Sequence, residues 1–248
     1  MSKVMLITGA SRGIGAATAR LAAAEGYALC LNFRQRHDAA EQLLKELRSQ
    51  GAQAIAIEAD IADESQVVRL FEAVDAEFGR LDALVNNAGM LERQMRLDNM
   101  DKARLERVFA VNVFGSFLCA REAVKRMSTR HGGSGGAIVN VSSIAAKLGA
   151  PNEYIDYAAA KGAIDSMTLG LAKEVAAESI RVNAVRPGVI YTEIHASGGE
   201  PDRIERVRSS VPMGRGGEAL EVAEAILWLV SDKASYTSGA LLDVSGGS

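Results

Sequence analysis

Seven short runs of aliphatic and β-branched residues punctuate the chain: Val4 to Thr8, Ala28 to Phe33, Ala54 to Glu58, Ala83 to Asn86, Ala137 to Val141, Arg181 to Val185 and Leu241 to Val244. Near-continuous apolar runs of this length are the pattern of strands buried on both faces. Most of the intervals carry apolar residues three and four apart, as in Ala39, Leu43, Leu44 and Leu47, or Val67, Leu70, Phe71 and Val74, the spacing of amphipathic helices. Strand and helix therefore alternate. Such a chain folds as α/β, with a parallel sheet, helices on both faces and right-handed crossovers. With 248 residues, 48% of them hydrophobic, there is enough apolar material for one sizeable core. No internal repeat or second domain is visible, so one doubly wound domain over residues 1–248 is expected.

Charge and composition exclude several functions. A net charge of −3, with no basic stripe, argues against nucleic acid as a partner. No apolar run approaches the ~20 residues that span a bilayer, no charge block suggests a membrane surface, and the chain enters its first strand almost at once, so a cytoplasmic protein is expected. Cys30 and Cys119 lie inside apolar segments and read as buried, reduced thiols. His37, His131 and His195 are far apart, and no metal-ligand spacing exists, so no metal site is expected.

Glycine and proline mark the breaks. Gly26 and Gly51 follow helical patterns and read as left-handed C-caps. The glycine-rich run from His131 to Gly136 precedes a strand instead of opening a helix, so it reads as a flexible connector and not as a phosphate nest. Pro151, Pro187, Pro201 and Pro212 all fall in the second half, and residues 187–217 are the least regular stretch. A long irregular segment in a compact domain reads as a binding loop or lid, here residues 191–217, in which His195 could contact substrate but reads more simply as solvated.

Directly after the first run comes Thr8-Gly9-Ala10-Ser11-Arg12-Gly13-Ile14-Gly15, followed by a helical segment. Glycines at a strand-to-helix turn allow close backbone approach to a pyrophosphate, and the helix start offers unpaired N–H groups and a positive dipole end. A dinucleotide with a free ribose 2′-hydroxyl would be met by an acid about 20 residues on, at the end of the second strand. Asn32-Phe33-Arg34 stands there instead. Arg34 and Arg12 offer the forked donors that suit a 2′-phosphate, which favours NADP(H) over NAD(H).

In Tyr157-Ala158-Ala159-Ala160-Lys161 the i, i+4 spacing puts a phenol and an ammonium on one helix face. A nearby cation favours the phenolate, which suits a group that gives and takes a proton near neutral pH. Tyr154 has Ala158 at the same offset and lacks that partner. Upstream, Val141-Ser142-Ser143 ends the fifth strand and brings a hydroxyl toward the same cleft, while Asn112 interrupts a helical pattern that it suits poorly.

These motifs together resemble the short-chain dehydrogenases/reductases over nearly the whole chain. The resemblance implies a single Rossmann domain with a seven-stranded parallel sheet and NAD(P)-dependent interconversion of a small-molecule carbonyl and its alcohol. Gly9, Ser11, Arg12, Gly13, Ile14 and Gly15 would cradle the pyrophosphate, Asn32 and Arg34 the adenosine ribose, and Asp60 and Ile61 the adenine. Asn87, Ala88 and Gly89, within Asn86-Asn87-Ala88-Gly89, would line the cleft together with Val111. Pro187, Gly188, Ile190 and Thr192 would meet the nicotinamide, whose ribose Lys161 also holds.

Of the catalytic group Asn112, Ser143, Tyr157 and Lys161, the tyrosine would act as general acid/base and the asparagine would bend its helix and hold a water. Ser143, second of its pair, matches the orienting serine; the gap to Tyr157 is one residue longer than usual, so residues 149–156 should bulge and Ser142 stays an alternative. A homotetramer is also implied. Subgroups resembling 3-oxoacyl-thioester reductases, NAD(H)-preferring sugar dehydrogenases such as glucose 1-dehydrogenase, and ketone reductases all fit. Substrate choice would lie in the lid and in Leu91, Glu92 and Arg93. A dinucleotide sensor without turnover is the rival on the same fold.

Overall fold

The computed structural model describes residues 2–248. Seven strands, β1 (Val4–Ile7), β2 (Ala28–Phe33), β3 (Ala54–Glu58), β4 (Ala83–Asn86), β5 (Gly136–Val141), β6 (Ile180–Pro187) and β7 (Leu241–Val244), form one sheet in the order β3-β2-β1-β4-β5-β6-β7. Every pairing is parallel. The chain runs outward from β1 in both directions, so the order reverses between β1 and β4. At such a switch point neighbouring crossovers leave on opposite faces and open a crevice at the carboxyl ends of the strands.

Alternation within the strands builds two apolar layers. Met5, Ile7, Leu29, Leu31, Val85 and Val139 face α1 (Gly13–Ala24), α2 (His37–Ser49) and α10 (Ala219–Val230). Leu6, Cys30, Leu84 and Ile138 face α3 (Glu64–Phe78), α5 (Ser116–Met127) and α7 (Ile155–Val175). Cys30 and Cys119 are free and buried in the second layer, where desolvation pushes both thiols up to about 12 and keeps them protonated and inert. The sheet edges depart from the expectation of burial on both faces. β3 and β7 are largely half-exposed, because an edge strand has one neighbour and lies at the rim of the helical cover.

The glycine run before β5 also departs from expectation, being a closed turn and not a flexible connector. The N–H of Gly133 donates to Ser128 O at 2.9 Å and that of Gly135 to Met127 O at 2.7 Å. A Cβ on Gly136 would sit 2.7 Å from Asp82 O, so absence of a side chain is what lets the backbone close there.

One buried ion pair anchors the helix that follows β5. Arg104, on α4 (Lys102–Phe109), meets Asp156 at 2.7 Å with side-chain exposures of 4% and 1%. Arg104 also donates to Arg93 O at 2.6 Å, while Asp156 Oδ1 accepts from the Tyr157 N–H at 2.9 Å. Removing one member leaves an uncompensated buried charge. Asp156→Ala should therefore lower unfolding stability by about 3–5 kcal/mol in urea titrations, and the double change Arg104→Met with Asp156→Leu should recover most of that loss. Equal loss in the single and double variants would show that packing, not charge, holds α7 in place.

Candidate active site

The carboxyl ends of the strands border a cleft of about 830 Å³. At one end lies the turn from β1 to α1. Gly9 and Gly13 have φ of +62° and +54°, and a Cβ on Gly15 would sit 2.5 Å from Gly9 O and 2.6 Å from Asn87 Nδ2. Arg12, the N-cap residue of α1, contributes no side-chain cap, and no acid occupies the first turn. The first N–H groups of a twelve-residue helix are thus left without a side-chain acceptor beside a backbone with room for a diphosphate, which fits a dinucleotide.

Side chains from the neighbouring strand ends fix this turn. Asn87 donates through Nδ2 to Thr8 O at 2.8 Å and Gly9 O at 3.0 Å, while Thr8 Oγ1 accepts from the N–H groups of Asn87 and Ala88, both at 3.0 Å. Asn32 Oδ1 accepts from Gly9 N–H at 3.3 Å, and its Nδ2 donates to Ala59 O at 3.0 Å. Three strands therefore hold one glycine loop. Nearby, Arg34 pairs with Asp60 at 3.0 Å, and Asp60 Oδ1 accepts from Ala62 N–H. Arg12 reaches Glu193 at 3.5 Å and Ser197 at 3.3 Å. Arg36, which the sequence reading passed over, lines the same wall in a left-handed conformation.

At the other end α7 presents Tyr157 and Lys161. Both serines border the cleft; Ser142 donates to Lys161 O at 3.1 Å, whereas Ser143 accepts from Ala145 N–H at 3.1 Å and lies on the wall with Tyr157. The expected bulge is a short helix α6 (Ala145–Leu148) followed by a turn in which Gly149, Ala150 and Asn152 all have positive φ. Lys161 Nζ donates to Val141 O at 2.7 Å and stands 5.5 Å from the Tyr157 ring centre.

Desolvation pushes the Tyr157 phenol up to about 12, against the downward pull of the Ser143 hydrogen bond. It pushes Lys161 down to about 8, against Asp165. Burial thus works against the phenolate that the spacing of Tyr157 and Lys161 was expected to favour.

Asn112 lies behind this pair. Residues Ala110–Gly115 form a π-helical turn between α4 and α5, and the Asn112 side chain holds the bend, donating to Met90 O at 3.0 Å and Val108 O at 2.9 Å and accepting from Met90 N–H at 3.1 Å. Gly89 allows this approach; a Cβ there would meet Asn112 Oδ1 at 2.9 Å. Of the cofactor and catalytic residues singled out from sequence, Gly15 and Asn112 are not on the cleft wall and the others line it, whereas of Leu91, Glu92 and Arg93 only Leu91 does.

The irregular segment is partly helical, with α8 (Ile194–Ser197) and α9 (Arg203–Val207). His195 is not solvated: it is 8% exposed and its Nε2 lies 3.1 Å from Ile190 O. Arg203 pairs with Glu153 at 2.6 Å and Glu200 at 3.2 Å and lies over the Tyr154 ring, tying the segment to the turn that precedes Tyr157. Arg203 and Val207, within the expected lid, line the cleft, and so do Glu153 and Tyr154, for which the sequence offered no site role. Nothing in their spacing signals a pairing across fifty residues.

A family model described as enoyl-(acyl carrier protein) reductase matches residues 9–248. The chain is 57% identical over 244 residues to an uncharacterized oxidoreductase of Escherichia coli, covering 98% of this chain and 99% of that protein. It is 41% identical to a cis-4-hydroxycyclohexanecarboxylate dehydrogenase of Sinomonas cyclohexanicum, over 99% of this chain and 96% of that one. A 3-oxoacyl-(acyl-carrier-protein) reductase of Staphylococcus aureus is 35% identical, over 100% and 98%. A glycine-loop α/β fold with this cleft, matched over its whole length in this way, defines a dehydrogenase/reductase of the nicotinamide-dependent class. The chain belongs to the short-chain dehydrogenase/reductase family and is an NAD(P)-dependent oxidoreductase acting on CH–OH and C=O groups.

The depressed Lys161 has a consequence for stability. Between pH 8 and the ordinary lysine value of 10.5 the unfolded chain binds more protons at this site than the folded one, so the Lys161 contribution to stability rises with pH. The unfolding free energy of the wild type relative to Lys161→Met should accordingly increase from pH 7.5 to pH 9.5. A difference independent of pH would contradict a desolvated ammonium.

Proposed function

We propose that the chain interconverts a small ketone or aldehyde and its alcohol, with NADP(H) preferred over NAD(H). The observation that carries this reading is the meeting of Ser143 and Tyr157 in the cleft whose other end is the Gly9–Gly15 loop. The Gly9–Gly15 loop would hold NADPH, which would supply the hydride for the carbonyl carbon. Tyr157 gives its proton to the carbonyl oxygen, and Ser143 donates a hydrogen bond to that oxygen as charge develops. A phenol near 12 is held protonated for this step, and Lys161 near 8 titrates close to working pH, able to restore the proton. In oxidation the same groups act in reverse. Pro187, Gly188, Ile190 and Thr192 hold the nicotinamide end, and the segment 191–217 closes over substrate together with Leu91.

The 2′-phosphate preference is supported by the absence of an acid at the end of β2 and by Arg12, Arg34 and Arg36 along that wall. Phe114, Phe117 and Leu169 are exposed, which supports burial of α5 and α7 in a homotetramer, and the protonated buried thiols suit a reducing cytoplasm.

Tyr157→Phe should lower kcat by about 10²–10⁴. Its NADPH Kd, read by fluorescence, should stay within roughly twofold, since the phenol is needed for proton transfer and not for holding the diphosphate. Retained turnover would sink the assignment. The substrate panel should contain ketones, 3-oxoacyl and enoyl thioesters, and sugars. Arg12→Ala combined with Arg34→Ala should lower the NADPH-to-NADH ratio of kcat/KM by about tenfold or more, the loss of charge-assisted bonds to a phosphate; an unchanged ratio would remove the NADP(H) preference. Sedimentation should give four times the 26.2 kDa chain mass, and a monomer would contradict the tetramer.

A further inference from the structure

Among the described residues, four buried side-chain polar atoms have no hydrogen-bond partner: Asn86 Oδ1, Tyr154 OH, Asp165 Oδ1 and His195 Nδ1. Only Tyr154 and His195 belong to the cleft wall. Of the two, only His195 belongs to the segment 191–217 expected to meet substrate. Buried polar atoms are almost always paired, so an unpaired one on a binding cleft is matched by something the cleft receives.

The chemistry of that partner follows from the ring. His195 Nε2 lies 3.1 Å from the Ile190 carbonyl oxygen, which can only accept, so Nε2 carries the hydrogen. In the neutral ring Nδ1 is then a bare acceptor. Burial and the neighbouring Arg203 both oppose a second proton, with Glu200 acting weakly in the other direction. An acceptor calls for a donor, a hydroxyl or an N–H. An anionic group is not called for, because Arg203, the cation beside this part of the wall, is taken up by Glu153 and Glu200. The position also fits: His195 follows Ile190 and Thr192 on the same segment and opens onto the cleft that holds Ser143 and Tyr157.

We propose that His195 is a specificity-determining residue whose Nδ1 accepts a hydrogen bond from a hydroxyl or N–H carried by the substrate away from its reacting carbon. This rests on the carbonyl–alcohol reading above and narrows it to uncharged hydroxy- or amido-carbonyl compounds, as against plain ketones.

The test uses matched pairs: ketones bearing a hydroxyl two to four carbons from the carbonyl, and the same ketones with methyl in place of hydroxyl. The wild-type enzyme should prefer at least one hydroxyketone over its methyl partner by tenfold or more in kcat/KM, with the difference mainly in KM. In His195→Phe that ratio should fall to near one. His195→Leu, which has neither donor nor acceptor and less bulk than phenylalanine, should behave likewise and covers the case in which the phenylalanine variant does not fold. An unchanged ratio in a folded variant overturns the proposal. A second readout does not need turnover. In ¹⁵N-histidine-labelled protein with NADP⁺, the Nδ1 resonance of His195 should start as a bare acceptor and shift on adding the preferred hydroxyketone but not its methyl partner. A shift without catalysis would support the site while refuting the carbonyl–alcohol reading; no shift with any hydroxyketone overturns the site whatever the activity.

Discussion

Asn87 joins the two halves of the sheet at the place where strand order reverses. Its amide holds the carbonyls of Thr8 and Gly9, and the Thr8 hydroxyl returns the contact to the Asn87 and Ala88 N–H groups. Those bonds satisfy backbone groups that a parallel sheet leaves unpaired at its carboxyl edge, and they fix the glycine loop against β4. Gly15 must be glycine for the same reason, since a side chain there would strike Gly9 O and Asn87 Nδ2. A second, deeper set runs alongside: Asn86 donates to Asn140 at 3.0 Å, and Asn140 to Thr168 of α7 at 2.9 Å. The glycine loop and α7 are thus registered to one another through buried amides.

The same burial that makes the cleft specific sets its acid–base chemistry. Desolvation disfavours charge on both Tyr157 and Lys161, raising one and lowering the other, so the pair rests neutral or singly charged near neutral pH. A tyrosine held protonated is a ready donor toward an oxygen that is acquiring negative charge. The π-helical turn at Ala110–Gly115 belongs to this arrangement, because it carries the Asn112 side chain to Met90 and keeps the loop after β4 close behind Lys161. Irregular helix geometry at such a place is a common companion of function.

Much of this was legible in the chain. Apolar runs gave β2, β3, β4 and β7 with the observed bounds, and the motifs named from residue type and register do converge on one cleft. Periodicity reports which face of an element is apolar; it is silent on how much cover an edge strand such as β3 receives. It is equally silent on what a loop folds onto. His195 read as solvated because it lies in an irregular segment, yet α8 turns it against Ile190. The Arg203–Glu153 pair and the closed turn at Gly133–Gly136 escaped for the same reason: each depends on residues that meet only once the sheet is formed. Spacing likewise gives the proximity of Lys161 and Tyr157 but not the desolvation that acts on both.

The central claim is that one cleft presents a carbonyl carbon to the nicotinamide while Tyr157 protonates its oxygen from a fixed side. Turnover of a prochiral ketone with NADPH deuterated at one or the other C4 position tests it most directly. The account predicts that deuterium reaches the carbonyl carbon from a single C4 position and appears in one enantiomer of the alcohol. Label arriving from both positions, or absent from the product carbon, would contradict it.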